Sequence, residues 1–143
     1  MHVHILRKSG VAVVRPEGKF FGGSETRELE SKLGALLTEG HLIVVIDLER
    51  TQHLNSSAIG VLVGAHVRAT RRGVEIRLCN IDRGIRHTLV ILKLINEMIV
   101  YDSLREAVAA PVPDAHPRLW TDDRDLFSIH FLTIEAPTGS DGR

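Results

Sequence analysis

Apolar positions along the chain switch between a period of two and a period near 3.6, and the switches predict its elements. Residues 2–6 and 11–15 are short β-branched runs joined through Lys8-Ser9-Gly10, the pattern of an antiparallel hairpin. Pro16-Glu17-Gly18-Lys19-Phe20-Phe21-Gly22-Gly23 predicts a glycine-bearing turn. Ser24 is then the expected N-cap of a helix with Leu29, Leu33, Leu36 and Leu37 on one face and Gly40 beyond its end. Residues 42–48 are nearly continuous apolar and β-branched, as a strand covered on both faces requires, with Asp47 at its carboxyl end. A short loop follows. From Ile59 the spacing is helical again, through Leu62, Val63 and Val67; Arg68, Arg71 and Arg72 load the last turn and Gly73 stops it. Val74, Ile76 and Leu78 alternate with Glu75, Arg77 and Cys79 as a further strand. Asp82 is the expected cap of a helix whose buried stripe is Ile85, Leu89 and Leu92. Ile99-Val100-Tyr101 makes a last short strand, and Ser103-Leu104-Arg105-Glu106 is a capping box opening a final helix that stops before Pro111.

The order β-β-α-β-α-β-α-β-α implies an α/β fold with right-handed crossovers and a sheet that is mostly parallel after an antiparallel N-terminal pair. Its centre is the strand, loop and helix of residues 41–72, which put Ser56 and Ser57 at a helix N-terminus. Unpaired N–H groups and the positive end of the helix dipole converge there and would stabilise a phosphate on either hydroxyl. Capping alone also explains a serine at that place, Ser56 being the expected cap, at about 1 kcal/mol.

Asn55-Ser56-Ser57-Ala58-Ile59-Gly60, preceded by Val44-Val45-Ile46-Asp47-Leu48, resembles the STAS family of anti-sigma factor antagonists, whose loop reads Asp-Ser-Ser-Gly-Leu-Gly after a Val-Val-Leu-Asp-Leu strand. Gly73-Val74-Glu75-Ile76-Arg77-Leu78 and Val100-Tyr101-Asp102-Ser103-Leu104-Arg105-Glu106-Ala107 match later landmarks, so the resemblance runs from about Val11 to Ala109. It implies a small mixed sheet with helices mainly on one side. It also implies a switch: the protein binds an anti-sigma factor that is a serine kinase, releases a sigma factor, is turned off by phosphorylation of Ser57, and is reset by a PP2C-type phosphatase. The contact surface implied is Asn55, Ser56, Ser57, Ala58 and Ile59 with Phe21 and Gly22; no cofactor, metal or catalytic residue is implied. Two positions lose a carboxylate of the family pattern, Asn55 and Phe21 each standing where the family carries an aspartate, while Ala58 for the family's glycine is a milder departure. Both carboxylates would help orient the acceptor hydroxyl and the kinase's metal-nucleotide group.

Composition adds boundaries. The 143 residues suit one domain, 1–110, with an extension, 111–143. Lys plus Arg and Asp plus Glu number 18 each, so no net field draws the chain to nucleic acid or an anionic membrane, and partners are found by shape. The lone Cys79 excludes an internal disulfide and fits a reducing cytoplasm, and no apolar run reaches the roughly 18 residues of a membrane span. Two other readings compete. A serine hydrolase would recruit His53, His66, His87 or Asp47, but the Gly-x-Ser-x-Gly pattern is absent and His66 shares a face with Leu62 and Val63, as a satisfied packing residue does. A STAS scaffold subunit of a stress-signalling or lipid-transport complex would keep the fold and discard the switch. His2 and His4 form only a weak metal pair.

Within the extension, Pro111, Pro113 and Pro117 predict an extended linker. Residues 126–134 are strand-like, with Phe127, Ile129 and Phe131 on one face. An apolar run of that kind is expected to pair with a sheet edge, in its own molecule or through a homodimer, with Trp120 nearby.

Overall fold

A computed structural model describes residues 2–8 and 10–111; the expected linker beyond Pro111, the strand-like run at 126–134 and Trp120 lie outside the described residues. β1 (His2–Lys8) and β2 (Val11–Phe20) pair antiparallel, as the hairpin pattern predicts. α1 (Ser24–Leu37), β3 (Ile43–Asp47), β4 (Thr51–Leu54), α2 (Ser56–Arg71), β5 (Glu75–Cys79), α3 (Arg83–Ile91), β6 (Ile99–Tyr101) and α4 (Leu104–Ala109) follow. The sheet runs β1-β2-β3-β5-β6, parallel from β2 onward, with β4 joined to β2 off that path.

The β3 side chains are buried throughout, which the continuous apolar run foretold. Val44 and Ile46 enter the larger core with Leu29, Leu33 and Leu36 of α1, Ile59 and Leu62 of α2, and Ile85 and Leu89 of α3. Ile43 and Val45 enter a smaller core closed by Leu104, Ala107 and Val108 of α4. Three helices therefore cover one face and α4 the other, so helices lie mainly on one side as expected.

Several local expectations are corrected. The turn expected at 16–23 is shorter, because β2 continues to Phe20 and the chain turns only afterwards. β4 was not foreseen: four residues with Gln52 and His53 exposed carry little apolar signal, and the strand exists through parallel pairing with the end of β2 and a Thr51 hydroxyl that donates to the Pro16 carbonyl at 2.9 Å. Ser24 opens α1 but does not cap it; Gly23 precedes the helix and no side chain caps it. Val67 and Leu92 are each 43% exposed, because the buried stripes are narrower than the spacing suggested.

The alternation of 74–79 also misled. Arg77 and Cys79 are both fully buried, since α4 covers the face they would have shown to water. Arg77 is accommodated by four hydrogen bonds from its five N–H donors. Its Nη1 donates to the Ala107 and Ala110 carbonyls at 2.7 and 2.6 Å, its Nη2 to Pro111 at 3.0 Å, and its Nε to Glu75 Oε2 at 2.7 Å. The guanidinium also lies 5.5 Å over the Tyr101 ring. A buried cation thus gathers the carbonyls that end α4.

Candidate functional site

Two segments far apart in sequence meet where β2 and β4 end. The backbone N–H of Asn55 donates to the Phe20 carbonyl at 3.1 Å, which fixes where α2 can begin. Asn55 is extended, with φ −85° and ψ −179°, and its Oδ1 accepts from the Ala58 N–H at 3.0 Å. Asn55 is therefore the cap, and the expectation that Ser56 caps is corrected. Ser56 and Ser57 become the first two helical residues, both exposed. Among the described residues neither hydroxyl is engaged in a hydrogen bond, and the Ser56 and Ser57 N–H groups remain at the positive end of the dipole.

The turn after β2 backs this helix start. Gly22 has φ +96°, a conformation that favours glycine, and a Cβ there would stand 3.2 Å from Ser57 Cβ and 3.4 Å from Ser57 Oγ. The turn is tied down by the first turn of α1. Phe21 and Gly23 N–H groups donate to Glu25 Oε2 at 2.8 and 3.1 Å, and the Gly22 N–H donates to Thr26 Oγ1 at 2.8 Å. The backbone N–H bonds to Glu25, the one from Phe21 foremost, hold its carboxyl below the usual carboxylate range. Phe21 is 56% exposed, and its ring rests against His53 with centroids 4.8 Å apart. Lys19 is paired in register with His53 and is also exposed, so the rim carries an aromatic contact and one lysine ammonium.

Of the residues expected at the surface, Asn55, Ser56, Ser57, Phe21 and Gly22 are brought together. Ala58 and Ile59 are not available there, since both are buried in the larger core, where their short and branched side chains seat α2 on the sheet. Sequence reasoning missed Glu25 and Thr26, and it named His53 only as a hydrolase partner, not as the neighbour of Phe21. An acidic residue in the first turn of α1 was the visible signal for Glu25; nothing local signalled His53.

Of the groups a hydrolase would recruit, His53 stands at the rim against Phe21, and Asp47, His66 and His87 lie elsewhere. Asp47 is fully buried, bound by Arg15 Nε at 3.1 Å, Asn80 Nδ2 at 2.9 Å and the Glu49 N–H at 3.1 Å. His66 is half-buried on α2 with its Nδ1 lacking a partner among the described residues, where a satisfied ring was expected, and His87 is exposed on α3. Burial pushes the Cys79 thiol well above its ordinary range, so it is held protonated. Among the described residues no cluster of His, Cys, Asp or Glu has the makings of a metal site, and no helix is long and apolar enough to cross a membrane. His4 Nε2 instead meets Glu17 Oε1 at 2.9 Å.

Comparison with known proteins follows the same lines. The family model for the STAS domain matches residues 2–107. No curated protein matches the sequence. Among solved structures, the unphosphorylated form of the anti-sigma factor antagonist SpoIIAA superposes with a TM-score of 0.61 at 15% identity, covering 85% of this chain and 100% of that one. An anti-sigma factor antagonist from Mycobacterium paratuberculosis gives a TM-score of 0.67 at 20% identity, over 75% of this chain and 90% of that one. A serine-to-glutamate variant of RsbS from Moorella thermoacetica gives 0.65 at 20% identity, over 76% and 92%.

Proposed function

The chain belongs to the STAS domain family, and from that premise we propose that it is an anti-sigma factor antagonist. It docks on a serine-kinase anti-sigma factor through the surface around Ser57, frees a sigma factor, is switched off when that kinase phosphorylates Ser57, and is reset by a PP2C-type phosphatase. The observation that carries this is the Ser57 hydroxyl, exposed on the first turn of α2 and released from capping duty by Asn55. Kinship of fold with SpoIIAA, whose phosphorylated form has also been solved, supports it.

The chemistry follows from the local geometry. The kinase removes the Ser57 Oγ proton as the hydroxyl oxygen displaces ADP from the γ-phosphorus of ATP. The product adds about −1.5 to −2 charges at a helix N-terminus, where unpaired N–H groups and the dipole stabilise it. The helix is thus not disrupted, and switching acts at the interface. A partner pocket shaped for Phe21, His53 and a neutral serine must then accommodate a dianion, which it can neither hydrate nor pair. Docking becomes repulsive without refolding.

The test is incubation with the anti-sigma kinase and ATP, read on a phosphate-retarding gel. Wild type shifts and Ser57→Ala does not; a shift abolished by Ser56→Ala alone, with the fold intact, moves the acceptor to Ser56 and overturns the assignment.

A second reading is favoured by Asn55 and Phe21, neutral where the family pattern is acidic: a non-switching scaffold subunit. A sulfate transporter family protein from Wolinella succinogenes shares the fold, with a TM-score of 0.58 at 17% identity. Transporter genes beside this one would favour the scaffold, and a serine-kinase anti-sigma gene the switch.

A further inference from the structure

Two unmet demands lie in consecutive parts of the chain. α3 ends in three consecutive exposed aliphatic side chains, Val90 at 51%, Ile91 at 62% and Leu92 at 43%. From there the chain runs through 93–98 into β6. β6 is terminal in the sheet and pairs only with β5 among the described residues, so its outer N–H and C=O groups are open to another strand. The opposite edge presents nothing comparable. On β1 no described apolar side chain is among the exposed ones, and its exposed Arg7 is held by Glu39 at 2.7 and 3.0 Å.

The rest of the chain departs close to β6. The Pro111 carbonyl accepts from Arg77 Nη2, and Arg77 is paired in register with Ile99, the first residue of β6. Beyond it the sequence offers one dense apolar run, residues 126–134, in which Phe127, Ile129 and Phe131 alternate with Ser128 and His130. Apolar alternation of this kind is what an open strand edge accommodates.

We propose that residues 126–134 of the same chain dock along the free edge of β6 and cover Val90, Ile91 and Leu92. The 14 residues from 112 to 125 span up to about 45 Å when extended. A domain of this size is only about 35 Å across, so the linker reaches its own β6 with slack. Tethering at that length gives the run an effective concentration of order millimolar at its own edge, which a second copy at ordinary protein concentrations does not match.

Hydrogen exchange on the full chain tests this. In wild type the amides of 126–134 exchange more slowly than in the unfolded chain by about tenfold or more, unaffected by dilution. Ile91→Asp, at an exposed position, accelerates them, as does Ile129→Lys. The double variant Ile91→Asp/Ile129→Lys recovers part of the protection because the new charges attract. Amides of Ile43–Asp47 stay slow in all four proteins and report an intact fold. Fast exchange across 126–134 in wild type overturns the proposal. So does protection that Ile91→Asp leaves untouched. Protection lost on dilution gives the edge to a second copy and overturns docking within one chain.

Discussion

Gly22→Ala isolates how strongly the β2–α1 turn supports Ser57, because the fold supplies a matched control in Gly40. Their φ values are +96° and +94°, so alanine meets nearly the same backbone strain at both. That strain is about 1–2 kcal/mol, offset by about 0.4–1 kcal/mol of entropy that alanine removes from the unfolded chain. The surroundings differ. At Gly40 a Cβ meets nothing within 4 Å, whereas at Gly22 it stands 3.2 Å from Ser57 Cβ, 3.4 Å from Ser57 Oγ and 3.8 Å from Asn55 Nδ2. The turn cannot easily withdraw, since Glu25 and Thr26 hold three consecutive N–H groups, so crowding adds about 1 kcal/mol or more. Gly40→Ala should therefore lose about 1 kcal/mol in urea unfolding and Gly22→Ala about 2–3 kcal/mol. Only Gly22→Ala should move the amide resonances of Ser57 and Ala58. Equal losses, with those resonances unmoved by either change, would refute the idea that this turn positions the serine.

Arg77→Met removes four charge-assisted hydrogen bonds from a fully buried site and strands Glu75; it should cost about 3–5 kcal/mol in chemical denaturation, with Arg77→Lys in between. A loss under about 1 kcal/mol would show that α4 docks without it. Asn55→Asp keeps a capping oxygen and adds a carboxylate beside Ser57, so phosphorylation should accelerate more than affinity for the unmodified partner changes; equal rates would remove Asn55 as the limiting departure. Hydrogen bonds from Arg7, then His41, hold Glu39 at about 2. With its folded value depressed, its stabilisation is complete above about pH 4.5 and fades as pH falls toward about 2, by about 1 kcal/mol at most after solvent screening. Glu39→Gln should flatten that part of the pH-stability curve, and an unchanged curve would count against the pairing.

What the sequence made legible was whatever local chemistry decides. The buried run of β3, the Asp82 cap accepting from Ile85 at 2.7 Å and the Ser103 cap accepting from Glu106 at 3.1 Å all appear as expected. Where two local solutions compete, sequence could not choose: Asn55 and Ser56 are both good caps, and the bond from Asn55 to Phe20 decides between them. Long-range effects were invisible. β4 exists because the end of β2 offers it a ladder, Arg77 is buried because α4 arrives to cover it, and Phe21 meets His53 only through that same ladder. Of the candidate site, the serines and the turn were legible, while the burial of Ala58 and Ile59 was hidden.

The β2–β4 ladder also governs when the site comes into being. Its pairs, Gly18 with Thr51, Lys19 with His53 and Phe20 with Leu54, join parallel segments separated in sequence by α1 and β3. Loop-closure entropy makes contacts of such sequence separation late in folding. A nascent or misfolded chain carries the same Asn-Ser-Ser string but not the clustered surface. A partner that docks there, as proposed, would distinguish finished molecules from unfinished ones, and would count only chains that have completed folding.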